Sequence, residues 1–326
     1  MTDSVKTLER AEEEVAARVP AAPGPRPSLR RRWADSEYRE GGLRLAALAV
    51  LTLPVVVGYL WIVVSTFADR THGLIPVDGQ GRFGGFTLRN WAFLGDPTIW
   101  TITLNTFIVA SGLTIGVVAV SSLAGYALSR LQFGGRRQFL AGMLILHAFP
   151  SVTLLISIFF VLRYLSGVPV LGGDLPLIGG VGYNTVGGVI LVSVALQLPL
   201  GIWLMKGFFD GVPWDMERAA LIDGCSRFQA WRMVALPFVR PGIAALSIFS
   251  FIVGWGSFII PYTYIVSPTR NVIAVYLNNL LGSTSPVNYG EIAAIGLFQL
   301  IPVLVFFFLT QEYLLNIFTG GMKGGD

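Results

Sequence analysis

Six long apolar runs separated by polar stretches dominate this chain, at approximately 43–67, 101–129, 138–163, 186–209, 238–266 and 292–317. A hydrocarbon core of roughly 30 Å needs about 20 apolar residues in helix, each rising roughly 1.5 Å, and every run is long enough. Backbone in lipid must satisfy its own hydrogen bonds, so runs of this kind predict helices. The expected fold is all-α, a polytopic membrane protein with six transmembrane helices. Pro54, Pro150, Pro199 and Pro302 fall inside the runs, where each removes a backbone donor and permits a kink.

Composition strengthens this picture. Of 326 residues, 53% are hydrophobic and 13% charged, and mean hydropathy is +0.66, too apolar for one water-soluble core. The basic balance, net +4, is clustered between the apolar runs, which points to orientation in a lipid bilayer and not to nucleic acid. Of the 23 Lys and Arg residues, the compartment of the second and fourth connections and both ends holds all but Arg70, Arg82, Arg89, Arg163 and Arg270. That bias places both termini in the cytoplasm. Residues 1–40 hold Glu12-Glu13-Glu14, a Pro/Ala-rich segment and Arg30-Arg31-Arg32, and are expected to form a disordered cytoplasmic tail. Residues 41–318 form the membrane domain and 319–326 a cytoplasmic C-terminal tail. The first apolar run starts too far from Met1 and is too long for a cleavable signal peptide. A single cysteine, Cys225, and two histidines argue against a metal centre.

The polar stretch 210–237 reads as a helix-turn-helix. Pro213 suits the start of a helix, and Asp215 and Glu217 follow near the positive end of its dipole. Gly224 can adopt the left-handed conformation that closes a helix. Ser226 and Gln229 have capping-box spacing, and Leu236-Pro237 is expected to end the second helix. Ala219 and Ala220 would let another surface come close.

The spacing Arg218-Ala219-Ala220, Gly224, Val234, Leu236-Pro237 resembles the EAA loop of permease subunits from binding-protein-dependent ABC importers. Asn105-Thr106, the run Gly125 to Leu131, Gly135-Arg136-Arg137, Ile222-Asp223-Gly224 and the ending Thr319 to Gly324 resemble features of the carbohydrate permeases of maltose, trehalose and glycerol-phosphate type. The resemblance implies the type I ABC importer permease fold with a cytoplasmic coupling helix. It implies a multi-pass cell-membrane subunit without catalytic residues that imports a sugar with a second permease subunit, two ATPase subunits and an extracytoplasmic solute-binding protein. No GxxxxGK[ST] loop occurs in the sequence, so ATP and magnesium are expected on the ATPase partners, with no cofactor in this chain. The coupling residues carried over are Glu217, Arg218, Ala219, Ala220, Asp223, Gly224, Leu236 and Pro237. The family's glutamate aligns with Arg218, leaving Glu217 either to substitute for it or the contact to be lost. Gly320, Gly321, Met322, Lys323 and Gly324 would touch the ATPases, and Asn278, Asn279, Gly282, Ser283 and Thr284, in a polar connector over 267–291, the binding protein.

Polar and aromatic groups inside spans are expensive unless they face a cavity or partner, so Gln197, Trp255, Ser257, Tyr262, Tyr264 and Gln299 are candidates for a sugar path. The alternative, a proton-coupled secondary transporter, needs midplane acids, and only Glu312 lies within an apolar run, near its end. No HExxH, GxSxG or paired-carboxylate motif indicates an enzyme.

Overall fold

The computed structural model describes residues 36–320 except 73–74, 79, 170, 172–177 and 283–286; side chains are described within 41–309 and at Gln311. The chain divides into two units, one ending at Trp61 and one beginning at Ile62. Residues 1–35 of the expected tail 1–40, and residues 321–326, lie outside the described residues. In the first unit, helix α1 (Ser36–Thr66) begins, with an apolar stretch over Gly41–Thr66.

The second unit is built on helices. A short antiparallel hairpin, β1 (Arg70–His72) and β2 (Ile75–Val77), comes before a 3₁₀ turn at Arg89–Gly95. Helix α2 (Pro97–Arg130) follows, started by Asp96, whose side chain accepts from the Thr98 N–H. Next come α3 (Arg136–Ala148), α4 (Leu155–Ser166) and α5 (Val186–Asp210). The 210–237 stretch forms α6 (Trp214–Ile222), α7 (Arg227–Ala230), a π turn (Trp231–Ala235) and α8 (Leu236–Phe238). After it run α9 (Arg240–Trp255), α10 (Ile259–Tyr264), α11 (Ile273–Leu281) and α12 (Tyr289–Gly320).

Among the described residues, four helices are individually long and apolar enough to cross a membrane, or up to six if each of two bent pairs is one span. The third expected span, 138–163, is broken: α3 and the segment Ser151–Ser166 meet at 91°. Pro150 has no N–H to continue α3, and it forces Phe149 to extended backbone at ψ 132°. The fifth, 238–266, is also interrupted. Its main helix is α9, and Gly256 to Phe258 separate it from α10.

The main seam lies between α2 and α5, with α9 packed on α2 as well. Small residues bring the backbones close. A Cβ added at Gly125 would stand 2.9 Å from the Lys206 backbone nitrogen and from Met205 Cβ, and one at Gly201 would stand 2.5 Å from Ser121 Oγ. Without a hydrophobic driving force between helices in lipid, such close packing is what holds spans together. Val117, Met205, Phe209, Val239 and Leu246 fill one cluster near this seam.

The connector 267–291 is no simple polar loop. It contains α11, which buries Ile273 and Val275 against the ends of the spans. The Asn-Thr pair at 105–106 supports it: Asn105 Nδ2 donates to the carbonyls of Thr269 and Asn271, and the Ile273 N–H donates to Thr106 Oγ1 at 3.0 Å.

Candidate functional site

The turn between α6 and α7 forms as its residues dictate. The Cys225 N–H donates to the Ala220 carbonyl and the Gly224 N–H to the Leu221 carbonyl, a Schellman closure, with Gly224 at φ +88°. Ser226 Oγ accepts from the Gln229 N–H while Gln229 Oε1 accepts from the Ser226 N–H at 2.7 Å, completing the capping box. Pro213 sits one position before α6, as its cap. The second helix continues past Leu236-Pro237 to Phe238 through the π turn, and the chain then bends by 75° into α9.

This unit has two faces. Arg218, Ala219, Asp223 and Gly224 are exposed, Ala220, Leu236 and Pro237 half-buried. Exposed beside them are apolar side chains that sequence reasoning did not single out: Ile222 at 85% exposure, Met233 at 68% and Phe228 at 61%. Soluble surfaces seldom gather large apolar groups unless a partner covers them. Their signal was a large apolar residue beside a charged one, Ile222 next to Asp223, Phe228 next to Arg227 and Met233 next to Arg232.

The inner face is anchored by Glu217, which is buried. Arg130, the last residue of α2, meets it: Nη2 lies 2.6 Å and Nε 2.7 Å from Glu217 Oε1. Tyr126 OH donates to Glu217 Oε2 at 3.0 Å, and Arg130 also donates to the Val212 carbonyl and to Ser129 Oγ. Ser129 Oγ in turn donates to Asp210, which pairs with Lys206. The Trp214 ring covers the guanidinium, 4.8 Å from its centroid. Glu217 therefore does not replace the family glutamate on the exposed surface; it points into the protein. Arg218, at the aligned position, is outside, in a loose 3.8 Å pairing with Asp215 and with its guanidinium 5.8 Å from the Trp214 ring centroid.

Of the candidate sugar-path residues, Trp255 and Gln299 bond one another. Trp255 is buried and its Nε1 donates to the Gln299 carbonyl, while Gln299 Nε2 reaches back to the Trp255 carbonyl. Tyr264 is buried with its hydroxyl on the Leu155 carbonyl. These three polar groups hold helices together, which answers the cost of burying them in a span. Gln197 is buried, its Nε2 without a partner among the described residues, Ser257 is half-buried, and Tyr262 is exposed and stacked on Phe258. None of the six lines the apolar groove of about 510 Å³ between α2, α9 and α12, which Phe107, Ile115, Phe251 and Val305 flank. Asn279 and Gly282 are exposed at the end of α11 and Asn278 is half-buried. Ser283 and Thr284 lie outside the described residues, as do Gly321, Met322, Lys323 and Gly324; Gly320 is the last residue of α12.

Residues 117–316 match the family described as binding-protein-dependent transport system inner membrane component. The chain is 29% identical over 279 residues to the maltodextrin transport system permease protein MdxG of Bacillus subtilis (strain 168), covering 85% of this chain and 94% of that protein. It is 34% identical over 223 residues to the maltose/maltodextrin transport system permease protein MalG of Escherichia coli (strain K12), covering 68% and 71% respectively. Among solved structures, a chain from a bacterial ABC transporter involved in the import of the acidic polysaccharide alginate superposes with a TM-score of 0.66 at 17% identity, covering 89% of this chain and 99% of that one. At that identity the likeness speaks for the fold.

Proposed function

The chain belongs to the family of binding-protein-dependent transport system inner membrane components, and from that premise we propose how it couples ATP to import and what it carries. It is a multi-pass membrane protein and a translocation subunit of an ATP-driven importer. A proton-driven secondary mechanism finds no support in these likenesses.

The cargo is a sugar, in line with the maltodextrin and maltose systems whose permeases it resembles. A second permease subunit completes the pathway, and a solute-binding protein delivers the sugar at the face carrying α11. Two ATPase subunits bind ATP and magnesium; this chain hydrolyses none. Both termini are cytoplasmic, in line with the basic bias, so α6 to α8 face the ATPases. The C-terminal residues from Gly320 on form a second contact with them.

One observation carries this reading: the large apolar side chains of Ile222, Phe228 and Met233 are exposed on a helix-turn-helix fixed by a Schellman closure and a buried ion pair. A docked ATPase would cover those side chains, and its closing motion would tilt α5 and α9, which continue the loop on either side. Cys225, half-buried beside Gly224 and the protein's one thiol, gives the test. In the assembled complex it should crosslink to single cysteines placed along the ATPase docking cleft, and liposomes holding the complex should take up labelled maltodextrin only with ATP and binding protein present. Absence of any crosslink across the cleft would sink the docking assignment; uptake of no sugar tested would sink the cargo.

A further inference from the structure

The coupling loop is joined by backbone to α5 and α9 but not to α2, whose Arg130 is 87 residues from Glu217 in sequence. We infer that the buried Arg130–Glu217 pair makes α2 a transmission strut, carrying displacement of the docked loop through the membrane to the segment that leads α11. The inference rests on the docking reading above and adds a route that the loop's own connections do not supply.

Three observations converge on it. The first is geometry at the inner end. Arg130 Nε and Nη2 both bond Glu217 Oε1, Nη2 also reaches the Val212 carbonyl, Nη1 reaches Ser129, and Tyr126 donates to Glu217 Oε2. With every polar atom of the pair engaged and water excluded, the pair has one geometry, unlike an exposed ion pair that exchanges partners freely. The second is the opposite end of the same helix, where Asn105 and Thr106 bond residues 269, 271 and 273. Thr106 to Arg130 is a helical length of roughly 36 Å, enough to cross the hydrocarbon core. The third is close packing: Gly125 on α2 against Met205 and Lys206 of α5, and Gly254 of α9 against Ala110 of α2, so the strut moves with both neighbours and cannot slide between them. Because Glu217 lies opposite the exposed face of a nine-residue helix, a push on Ile222 and Ala219 is passed directly to Arg130.

The test uses the assembled complex in liposomes with the double variant Arg130→Met, Glu217→Gln, which removes both buried charges together and so leaves neither unpaired. ATPase co-purification and the Cys225 crosslink should persist, while sugar taken up per ATP hydrolysed falls about tenfold, within the range of coupling free energies between sites. In the Gln132→Cys background, electron-spin distances between a label on the thiol introduced at position 132 and one on Cys225 should be narrow and insensitive to ATP with the pair intact, and broad in the double variant. Unchanged uptake per ATP with a narrow distance distribution would overturn the strut while leaving docking intact. So would uptake and hydrolysis falling in parallel, which marks the pair as a fold contact only. Loss of the crosslink with the pair intact would instead remove the docking reading itself and the strut with it.

Discussion

Gly224 separates backbone strain from crowding, because its φ is +88° yet a Cβ there would meet nothing within 4 Å. Gly224→Val should therefore act through φ alone, at a strain of about 1–3 kcal/mol. Gly224→Asn should largely escape it, since asparagine also closes helices in this conformation. Binding-protein-stimulated ATP hydrolysis in liposomes should fall for the valine and stay near wild type for the asparagine; equal activity of the two would refute the assignment. At Glu217 the cost is of another kind. Glu217→Leu leaves the Arg130 guanidinium buried without its carboxylate, and about 3–5 kcal/mol is expected from such a break, read as a lowered unfolding temperature in detergent. Arg218→Ala, on the exposed face, should change that temperature little, within about 0.5 kcal/mol. The glycine and the capping box were readable in the sequence because their partners lie within five residues. The direction of Glu217 was not, since it is set by a partner on another span.

At the level of elements, the seam between α2 and α5 depends on glycine at positions where a side chain has no room. Gly125→Val must displace the Lys206 backbone or Met205 and should destabilise the bundle by about 1–3 kcal/mol. Gly207→Val on the same neighbouring helix meets nothing within 4 Å and is the control. Thermal unfolding of both variants in detergent checks this, and equal midpoints would mean that the seam relaxes at no cost. The length of the apolar runs predicted where the helices begin and end to within a few residues for the runs at 101–129 and 186–209, but not the breaks at Phe149-Pro150 and Gly256. Hydropathy counts residues that lipid accepts, and a bend costs nothing on that scale when neighbouring helices satisfy the freed backbone groups.

For the whole molecule, the expected arrangement is six crossings with both ends inside. Reporter fusions or thiol labelling should find 130–137 and 215–235 in the cytoplasm and 75–95 and 270–288 outside. A cytoplasmic signal from 270–288 would reverse the roles given to α6 and α11. What the sequence settled by itself is whatever depends on near neighbours or on summed composition: a membrane-embedded helical chain, its apolar runs, the left-handed glycine, the capping box and the spacing of the loop. Hydrophobic transfer adds residue by residue, and turn chemistry acts over three to five positions, so both can be read along the chain. Only the tertiary structure decided that Trp255, Tyr264 and Gln299 bond helices together, that Ile222, Phe228 and Met233 stay exposed, and that Glu217 turns inward to Arg130. Each of those depends on which groups from distant segments meet in a space from which water is excluded, where an unpaired polar atom is too costly to leave and only a partner across the fold can satisfy it.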